Sequence, residues 1–241
     1  MDASITAAAL RQSDALVIDV RRNERFREST YVIEGALRRD PDTVAEWKSA
    51  LPAAASVVVY CVHGHEVSQN VARTLGARYL EGGIEAWRED AGALTTKPKD
   101  SFTRWVTRER PKIDRIACPW LIRRFVDRDA EFLYVPASQV KSVADEKSAV
   151  PYDIPGVAFG HEGERCSFDA FLKHYRLEGD AALRRLALIV RGADTGRLDL
   201  APQAPGLLAI SLGLSRLYED DLEMLEHGMV MYDALYSSCR K

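Results

Sequence analysis

The segment YCVHGHEVSQ, residues 60–69, decides the fold of the first part of the chain. It lies between the apolar, β-branched run SVVVY (56–60) and the helix-like stretch SQNVARTLGA (68–77). The run predicts a buried strand, and apolar residues at helical spacing predict a helix that starts near Ser68. The sequence therefore places Cys61 at the end of a strand, followed by a tight loop with two histidines and one glycine.

Strands and helices alternate on both sides of this segment. Two further strand patterns are ALVIDV (15–20) and RYLEGG (78–83), and two helix patterns are DTVAEWKSAL (42–51) and IEAWRED (84–90). Alternation of this kind is typical of a parallel sheet that is flanked by helices. We therefore predict an α/β domain over residues 1–92.

The cysteine loop has the features of an anion-binding site. In open α/β sheets, ligands bind at the carboxyl edge of the strands, where Cys61 is expected. Successive N–H groups of a tight loop and the N-terminus of the next helix both favour negative charge, so we expect Cys61 to be a nucleophilic thiolate. Gly64 suits a position with positive φ or close backbone approach. The alternative is an inert, buried cysteine at a strand end.

Three stretches of this first part resemble a rhodanese domain: VIDVRRNERF (17–26), VVVYCVHGHEVSQNVARTL (57–75) and YLEGGIEAWRE (79–89). The resemblance implies that Cys61 carries sulfane sulfur as a persulfide. The sulfur would come from a small donor such as thiosulfate and pass to a thiol or cyanide, with no cofactor required. The family pattern implies that Asp19 and Arg21 support the site. It also implies an anion-binding loop made of Val62, His63, Gly64, His65, Glu66, Val67 and Ser68.

The loop departs from the common rhodanese pattern, in which Cys and five residues ending in Arg precede Ser. Here CVHGHEVS places Ser68 one position later and contains no Arg. A loop of this length resembles the rhodanese-related phosphatases and arsenate reductases, but those carry Arg where this chain has Val67. Glu66 would also repel a dianion. Sulfur transfer is therefore the first interpretation, with phosphatase-like chemistry behind it.

His63 and His65 have an open role at this stage. Both could orient an anionic donor or give up a proton near neutral pH. Both could equally be exposed loop histidines with no role. His63 and Cys61 are also two candidate metal ligands, but such a pair alone is a weak signal.

The second half of the chain has a different pattern. The small, polar stretch 93–103 predicts a linker, and residues 104–241 predict a mainly α-helical domain. FTRWVTR (102–108) and EFLYVP (131–136) are strand patterns, and residues 145–166 predict loops. CPWLIRRFV (118–126) predicts a helix with Pro119 in its first turn, where proline is tolerated. Four further helices are predicted over 167–177, with Ser167 as N-cap, and over 180–194, 206–218 and 220–238.

This half is similar to the C-terminal domain of the chromate-resistance proteins. The similarity lies in KIDRIACPWLIRRFVDRDAEFLYVP (112–136), GVAFGHEGERCSFDAFLKHY (156–175), LALIVRGADT (186–195) and YDALYSSC (232–239). It implies a role in tolerance of chromate or oxidative stress. It implies no particular reaction.

The loop GHEGERC brings a histidine and a cysteine, His161 and Cys166, into one glycine-rich segment. Imidazole with thiolate suits zinc or iron, and imidazole with carboxylate suits iron or manganese, so a metal site is one hypothesis. A loop held by hydrogen bonds is the alternative. Further candidate ligands in this half are Asp114, Cys118, His174, Asp194 and His227.

The composition limits the classes of function. A formal net charge of −3 argues against a bulk nucleic-acid binder. Long apolar runs and a signal-peptide pattern are missing from the sequence, so we expect a cytoplasmic protein. Three hypotheses follow: a sulfurtransferase coupled to a stress-resistance domain, a redox or oxyanion sensor without turnover, and a metalloprotein that uses the His161–Cys166 loop.

Overall fold

The structure of the protein is a computed structural model that describes residues 3–51, 56–97 and 103–240. The chain divides into two compact units. The first is Met1–Lys99 with Tyr175–Asp180, and the second is Asp100–His174 with Ala181–Lys241. The first unit is an α/β structure, and the second is rich in helices.

The first unit alternates short strands with short helices. In chain order, the described elements are β1 (Ser4–Ile5), α1 (Ala7–Arg11), β2 (Leu16–Asp19), α2 (Asn23–Glu28), β3 (Tyr31–Ile33), β4 (Leu37–Arg38), α3 (Val44–Trp47), β5 (Val57–Tyr60), α4 (Glu66–Leu75), β6 (Arg78–Leu80), α5 (Gly83–Glu89) and β7 (Leu94–Thr96). Five of the strands form a parallel sheet in the order β1, β6, β5, β2, β4. The predicted parallel sheet flanked by helices is confirmed.

The strand that leads to Cys61 lies in the middle of this sheet. β5 pairs with β2 on one side, where Asp19 is opposite Tyr60, and with β6 on the other. Its residues Val58 and Tyr60 belong to a buried core that includes Leu80 and Trp87, and α4 packs against β5 and β6. The end of a central, fully packed strand is a rigid position for a reactive side chain.

Several local predictions for the first unit need correction. Helix α4 begins at Glu66, two residues before the predicted start at Ser68, with His65 in extended backbone before it. The predicted helix over 42–51 is broken into α3 and flanking 3₁₀ turns. Residues Leu94–Thr96 of the predicted linker form β7, which pairs antiparallel with β3, and residues 98–102 lie outside the described part of the chain.

The second unit has a small sheet and six α-helices within the residues that the structure describes, and a π-helical segment (Ile122–Val126) follows the first of these helices. In chain order, these elements are β8 (Arg104–Arg108), α6 (Asp114–Leu121), β9 (Glu131–Val135), α7 (Val140–Lys147), β10 (Val150–Pro151), α8 (Ser167–His174), α9 (Ala181–Asp194), α10 (Ala204–Leu217) and α11 (Asp221–Cys239). The sheet is parallel, in the order β10, β8, β9. The prediction of a mainly helical second part is confirmed.

Helix α6 starts four residues earlier than predicted, so Pro119 lies inside the helix and not in its first turn. Proline has no N–H to donate to the carbonyl four residues before it, which is that of Arg115. That carbonyl instead accepts hydrogen bonds from the hydroxyls of Tyr134 (3.1 Å) and Tyr152 (3.4 Å). Tertiary partners therefore replace the bond that the proline removes.

Helices α6 and α11 pack closely in the second unit. Gly228 of α11 is buried, and a Cβ atom there would collide with Cγ2 of Ile116 in α6. Asp220 caps α11, because its carboxylate accepts the N–H of Glu223 at 2.8 Å. This packing fixes the start of α6, which carries Asp114.

Candidate functional site

Cys61 directly follows β5 at the carboxyl edge of the first unit's sheet. Its side chain is buried, and its Sγ lies 3.1 Å from Oγ of Ser68 in the first turn of α4. The loop between them therefore closes around the thiol. The sequence prediction that a strand delivers Cys61 to a tight loop before a helix is confirmed.

Two glycines allow the loop to lie against its neighbours. Gly64 has φ +70°, and a Cβ atom there would lie 2.5 Å from the carbonyl oxygen of Leu80. Gly83, at the start of α5, also has positive φ, and a Cβ there would collide with the carbonyl oxygens of Cys61 and Val62. Only glycine satisfies both the backbone angle and the close approach at these positions.

The loop carbonyls and the loop N–H groups have different partners. The carbonyls of Cys61 and Val62 accept the N–H groups of Ile84 (3.0 Å) and Glu85 (3.2 Å) at the start of α5. By contrast, the backbone N–H groups of residues 62–68 have no acceptor anywhere in the described ranges. A run of unpaired N–H groups before and within the first turn of a helix is an anion-binding arrangement.

Ser68 links the thiol to the loop. Its hydroxyl is buried and lies 3.2 Å from the carbonyl oxygen of His65, to which it donates. While that bond exists, the hydroxyl accepts from the thiol of Cys61, and when the sulfur is an anion the hydroxyl can turn and donate to it. The side chain can therefore serve both protonation states of the sulfur.

Asp19 ends β2, the strand beside the one that leads to Cys61, and Arg21 follows two residues later. Their side chains form a buried ion pair at 2.5 Å, and Asp19 also accepts the hydroxyl of Tyr60 at 2.9 Å. Burial opposes the charge of Arg21, but its hydrogen bonds and its attraction to Asp19 outweigh burial and raise the pKa of Arg21. Within the described residues the pair makes no hydrogen bond to residues 61–68. Its contact with the site runs through Tyr60.

The remaining loop residues face outward. His63, His65 and Glu66 are exposed, and Val67 is partly buried. The two imidazole rings lie 5.9 Å apart between their centroids. They are therefore placed where an anionic molecule would approach the loop from solvent.

A second group of reactive side chains lies in the second unit. We call it the Asp–His cluster, and it consists of Asp114, Asp153, His161 and Asp194. Nε2 of His161 lies 3.3 Å from Oδ2 of Asp114, 3.3 Å from Oδ1 of Asp153 and 3.2 Å from Oδ2 of Asp194. Asp114 and Asp153 are almost fully buried, whereas 44% of the His161 side chain is exposed. The cluster is therefore a buried acidic centre with its histidine toward solvent.

The carboxylates of this cluster perturb one another and the histidine. Hydrogen bonding to Asp114 raises the pKa of His161 above its usual range. Burial, together with the negative charge of Asp114, raises the pKa of Asp194. Within the described residues, Asp114 and Asp194 have no Arg or Lys partner, whereas Asp153 contacts Arg108 and Arg115.

Unusual backbone angles occur next to one of these carboxylates and at another. Ile113, directly before Asp114, has φ +45°, which is rare for a β-branched residue. Its N–H donates to Ser211 (2.9 Å), and its carbonyl accepts the hydroxyl of Tyr232 (2.8 Å). Asp153 also has positive φ, at +52°. The contacts with α10 and α11 therefore hold the backbone angle of Ile113 and, with it, the position of Asp114.

Cys166 lies at the edge of the cluster. Its Sγ falls within 4.8 Å of ligand atoms of both Asp114 and Asp194. The thiol is buried, and burial, followed by the charge of Asp114, raises its pKa well above the usual value. Its Sγ and its backbone N–H both donate to Asp169 Oδ2, at 3.6 and 3.1 Å.

Asp169, not Ser167, satisfies the start of α8. A carboxylate that bonds back to the N–H before the helix is half of a capping box, and Asp169 makes this bond to the N–H of Cys166. The hydroxyl of Ser167 donates to Asp153 at 3.1 Å. The prediction that Ser167 is the N-cap was therefore wrong, and its side chain serves the Asp–His cluster.

Sequence reasoning identified part of this cluster and missed Asp153. His161, Asp114 and Asp194 come together as candidate ligands, whereas Cys118 and His174 are in neither ligand group found among the described residues. His227, another candidate ligand, is in neither group; it is exposed and stacks on Tyr218 with 4.3 Å between ring centroids. Asp153 had no local signal, since it lies in an irregular loop after a two-residue strand.

Comparison with protein families matches both parts of the chain. The family described as ChrB, C-terminal domain, matches residues 105–239, and the rhodanese-like domain matches residues 2–90. Protein ChrB of Cupriavidus metallidurans is 38% identical over 134 residues, which are 55% of this chain and 40% of that protein. The chain thus matches less than half the length of this relative.

Solved structures similar to this chain match about two fifths of it. A rhodanese-related protein from Thermoplasma volcanium is 24% identical, with a TM-score of 0.35, and the match covers 38% of this chain and 96% of that one. The BH2092 protein from Bacillus halodurans is 24% identical, with a TM-score of 0.32, over 38% of this chain and 75% of that one. No helix within the described residues has the length and apolar character needed to cross a membrane.

Proposed function

This chain belongs to the family that carries the ChrB C-terminal domain, preceded here by a rhodanese-like domain, and from this organisation we propose a sulfurtransferase that holds sulfane sulfur as a persulfide on Cys61. We propose further that this activity serves resistance to chromate or oxidative stress. The donor is a thiosulfate-like anion, and the acceptor is a thiol or cyanide. No cofactor is needed for this transfer.

One observation carries the proposal. The Sγ atom of Cys61 lies at the end of a central strand, inside a loop whose N–H groups from residue 62 to residue 68 have no acceptor in the described ranges. A persulfide adds a negatively charged terminal sulfur to Cys61. The N–H groups of the loop are dipoles already fixed around this position, so they stabilise the charge without rearranging. The carbonyls of Cys61 and Val62 cannot oppose it, since the start of α5 binds them.

The chemistry balances in two steps. The thiolate of Cys61 attacks the outer sulfur of thiosulfate, a sulfur–sulfur bond forms to Cys61, and sulfite leaves with the electron pair of the broken bond. Cyanide or a thiolate then attacks the terminal sulfur of the persulfide and takes it, and the Cys61 thiolate leaves. Ser68 is placed to donate to the sulfur anion in either state.

The loop composition favours the terminal sulfur anion of a persulfide over a larger oxyanion as the group held inside the loop. Tetrahedral dianions are usually bound by the forked guanidinium of Arg. The loop contains no Arg, and the exposed side chain of Glu66 adds a negative charge near its end. His63 and His65 at the outer surface can attract the donor without holding it inside the loop.

The test is the intact mass of the whole 241-residue chain, reduced and then exposed to thiosulfate. We expect wild type to gain one sulfur atom, and cyanide to remove it with formation of thiocyanate. Cys61→Ala should gain nothing. Cys239→Ala, which removes another buried cysteine, should behave as wild type.

Two outcomes would contradict the proposal. The first is no gain of sulfur in wild type with thiosulfate or with a persulfide donor. The second is a gain that persists in Cys61→Ala. Oxidation of Cys61 by mild peroxide without any sulfur turnover would instead identify the loop as a redox sensor.

A further inference from the structure

The Asp–His cluster differs from an ordinary ion pair. A histidine nitrogen carries at most one hydrogen, so it can make one good hydrogen bond. Nε2 of His161 nevertheless has three carboxylate oxygens at 3.2–3.3 Å, each from a different aspartate. Charge-assisted hydrogen bonds are shorter, at about 2.7–2.9 Å. One N–H group can donate to one of these oxygens, as in the contact with Asp114, but it cannot serve all three at this spacing.

The same distances suit ligands of one metal ion. Carboxylate oxygens and imidazole nitrogens lie about 2.0–2.2 Å from a bound divalent metal. Two such ligands at right angles are then about 3 Å apart. The contacts of Nε2 with Asp114, Asp153 and Asp194 have this spacing. We propose that His161, Asp114, Asp153 and Asp194 bind one divalent metal ion of the manganese or iron class.

The partners of Asp153 direct one of its two oxygens toward His161. Oδ2 of Asp153 is bound by Arg108 (2.6 Å) and Arg115 (3.2 Å), and its other oxygen, Oδ1, faces His161. Oδ1 also accepts the hydroxyl of Ser167 at 3.1 Å. Partners that orient a ligand in this way are typical of metal centres. The exposed edge of His161 offers an entry path from solvent.

The donor atoms decide the class of metal. Three carboxylates and one imidazole suit manganese(II) or iron(II), whereas thiolate ligands favour zinc. Cys166 is close enough to be considered, but its Sγ donates to Asp169, which also pairs with Arg191 at 2.5 Å. Cys166 therefore remains a thiol beside the metal, and the ligand set consists of oxygen and nitrogen.

The test is a titration of the metal-free 241-residue chain with Mn²⁺. Binding is measured as the loss of the free-ion signal in electron paramagnetic resonance. We expect one Mn²⁺ per chain. His161→Ala and Asp194→Asn should weaken binding about tenfold or more. His227→Ala, an exposed histidine of the same unit, and Cys61→Ala should leave it unchanged.

Three outcomes would overturn the inference. Wild type that binds no Mn²⁺ would mean that the cluster is held by a protonated histidine alone. Binding unchanged by both His161→Ala and Asp194→Asn would place the ion elsewhere. Binding of Zn²⁺ only, with its loss in Cys166→Ser, would assign a different ligand set. Circular dichroism of each variant separates lost binding from lost folding.

Discussion

At the scale of single residues, the cysteine loop depends on a glycine that no other residue can replace. Gly64 combines φ +70° with a space that a Cβ atom cannot enter, because the neighbouring atom is a backbone carbonyl oxygen. A backbone atom of β6 cannot rotate away as a side chain could. The loop around Cys61 therefore has one backbone path, and this path leaves its N–H groups free.

We expect Gly64→Ala to abolish sulfur loading while Cys61 is still present. Left-handed backbone costs about 1–2 kcal/mol for a residue with a Cβ atom, and the clash with Leu80 adds to that cost. Gly76→Ala is the matched control, since Gly76 has φ +67° but no atom within 4 Å of a Cβ. Chemical unfolding and intact mass after thiosulfate measure both effects. Equal sulfur loading in the two variants would contradict this explanation.

The residues near Cys61 were predictable because their signals are local. A strand, a cysteine, a glycine-containing loop and a helix follow one another within about twenty residues. Asp153 was not predictable, because its position depends on a left-handed backbone angle and on Arg108 and Arg115. Proximity of side chains that are far apart in sequence is decided by packing, which a single sequence does not reveal.

At the scale of elements, α6 shows why helix boundaries were harder to predict than the helices themselves. The pattern around Pro119 favoured a start next to the proline. The helix instead begins at Asp114, because Tyr134 and Tyr152 satisfy the carbonyl that Pro119 leaves free. These tyrosines come from β9 and from the segment after β10, so the information was outside the helix.

The end of α6 is tied to α11 by a polar contact that depends on pH. Asp233 accepts hydrogen bonds at 2.8 Å from both Arg124 and the indole N–H of Trp120. The hydrogen bond from Arg124 lowers the pKa of Asp233. Because the pKa of Asp233 is lower in the folded than in the unfolded chain (about 3.9), its carboxylate stabilises the folded state above about pH 4. This contribution is lost as the pH falls through the folded pKa.

We therefore expect Asp233→Asn to lower the free energy of unfolding at pH 7 by less than about 1 kcal/mol, since the carboxylate is partly exposed. At about pH 3 the difference from wild type should shrink, because wild type has begun to lose the charge as well. Urea unfolding at both pH values is the measurement. Glu219→Gln, an exposed carboxylate nearby in sequence, is the control. A larger difference at low pH would refute the assignment.

At the scale of the whole molecule, the two candidate sites lie in different compact units. Cys61, its loop and the supporting Asp19–Arg21 pair belong to the first unit, whereas every residue of the Asp–His cluster belongs to the second. The sequence predicted these two kinds of fold, an α/β part and a helical part, because hydrophobic periodicity changes between them. A ligand of one site should therefore stabilise mainly the unit that contains it.

Hydrogen exchange tests this expectation, which rests on the proposed metal site. When the free Mn²⁺ concentration is a hundred times its dissociation constant, binding adds about 2.7 kcal/mol to the free energy of any unfolding that releases the metal. Amide hydrogens that exchange through such unfolding should then exchange about 100-fold more slowly. We expect this protection in peptides from α6, α8 and α9 and none in peptides from β5 and α4. His161→Ala should remove it. Protection confined to β5 and α4 would show that the ion binds at the cysteine loop, because exchange reports local opening of each segment.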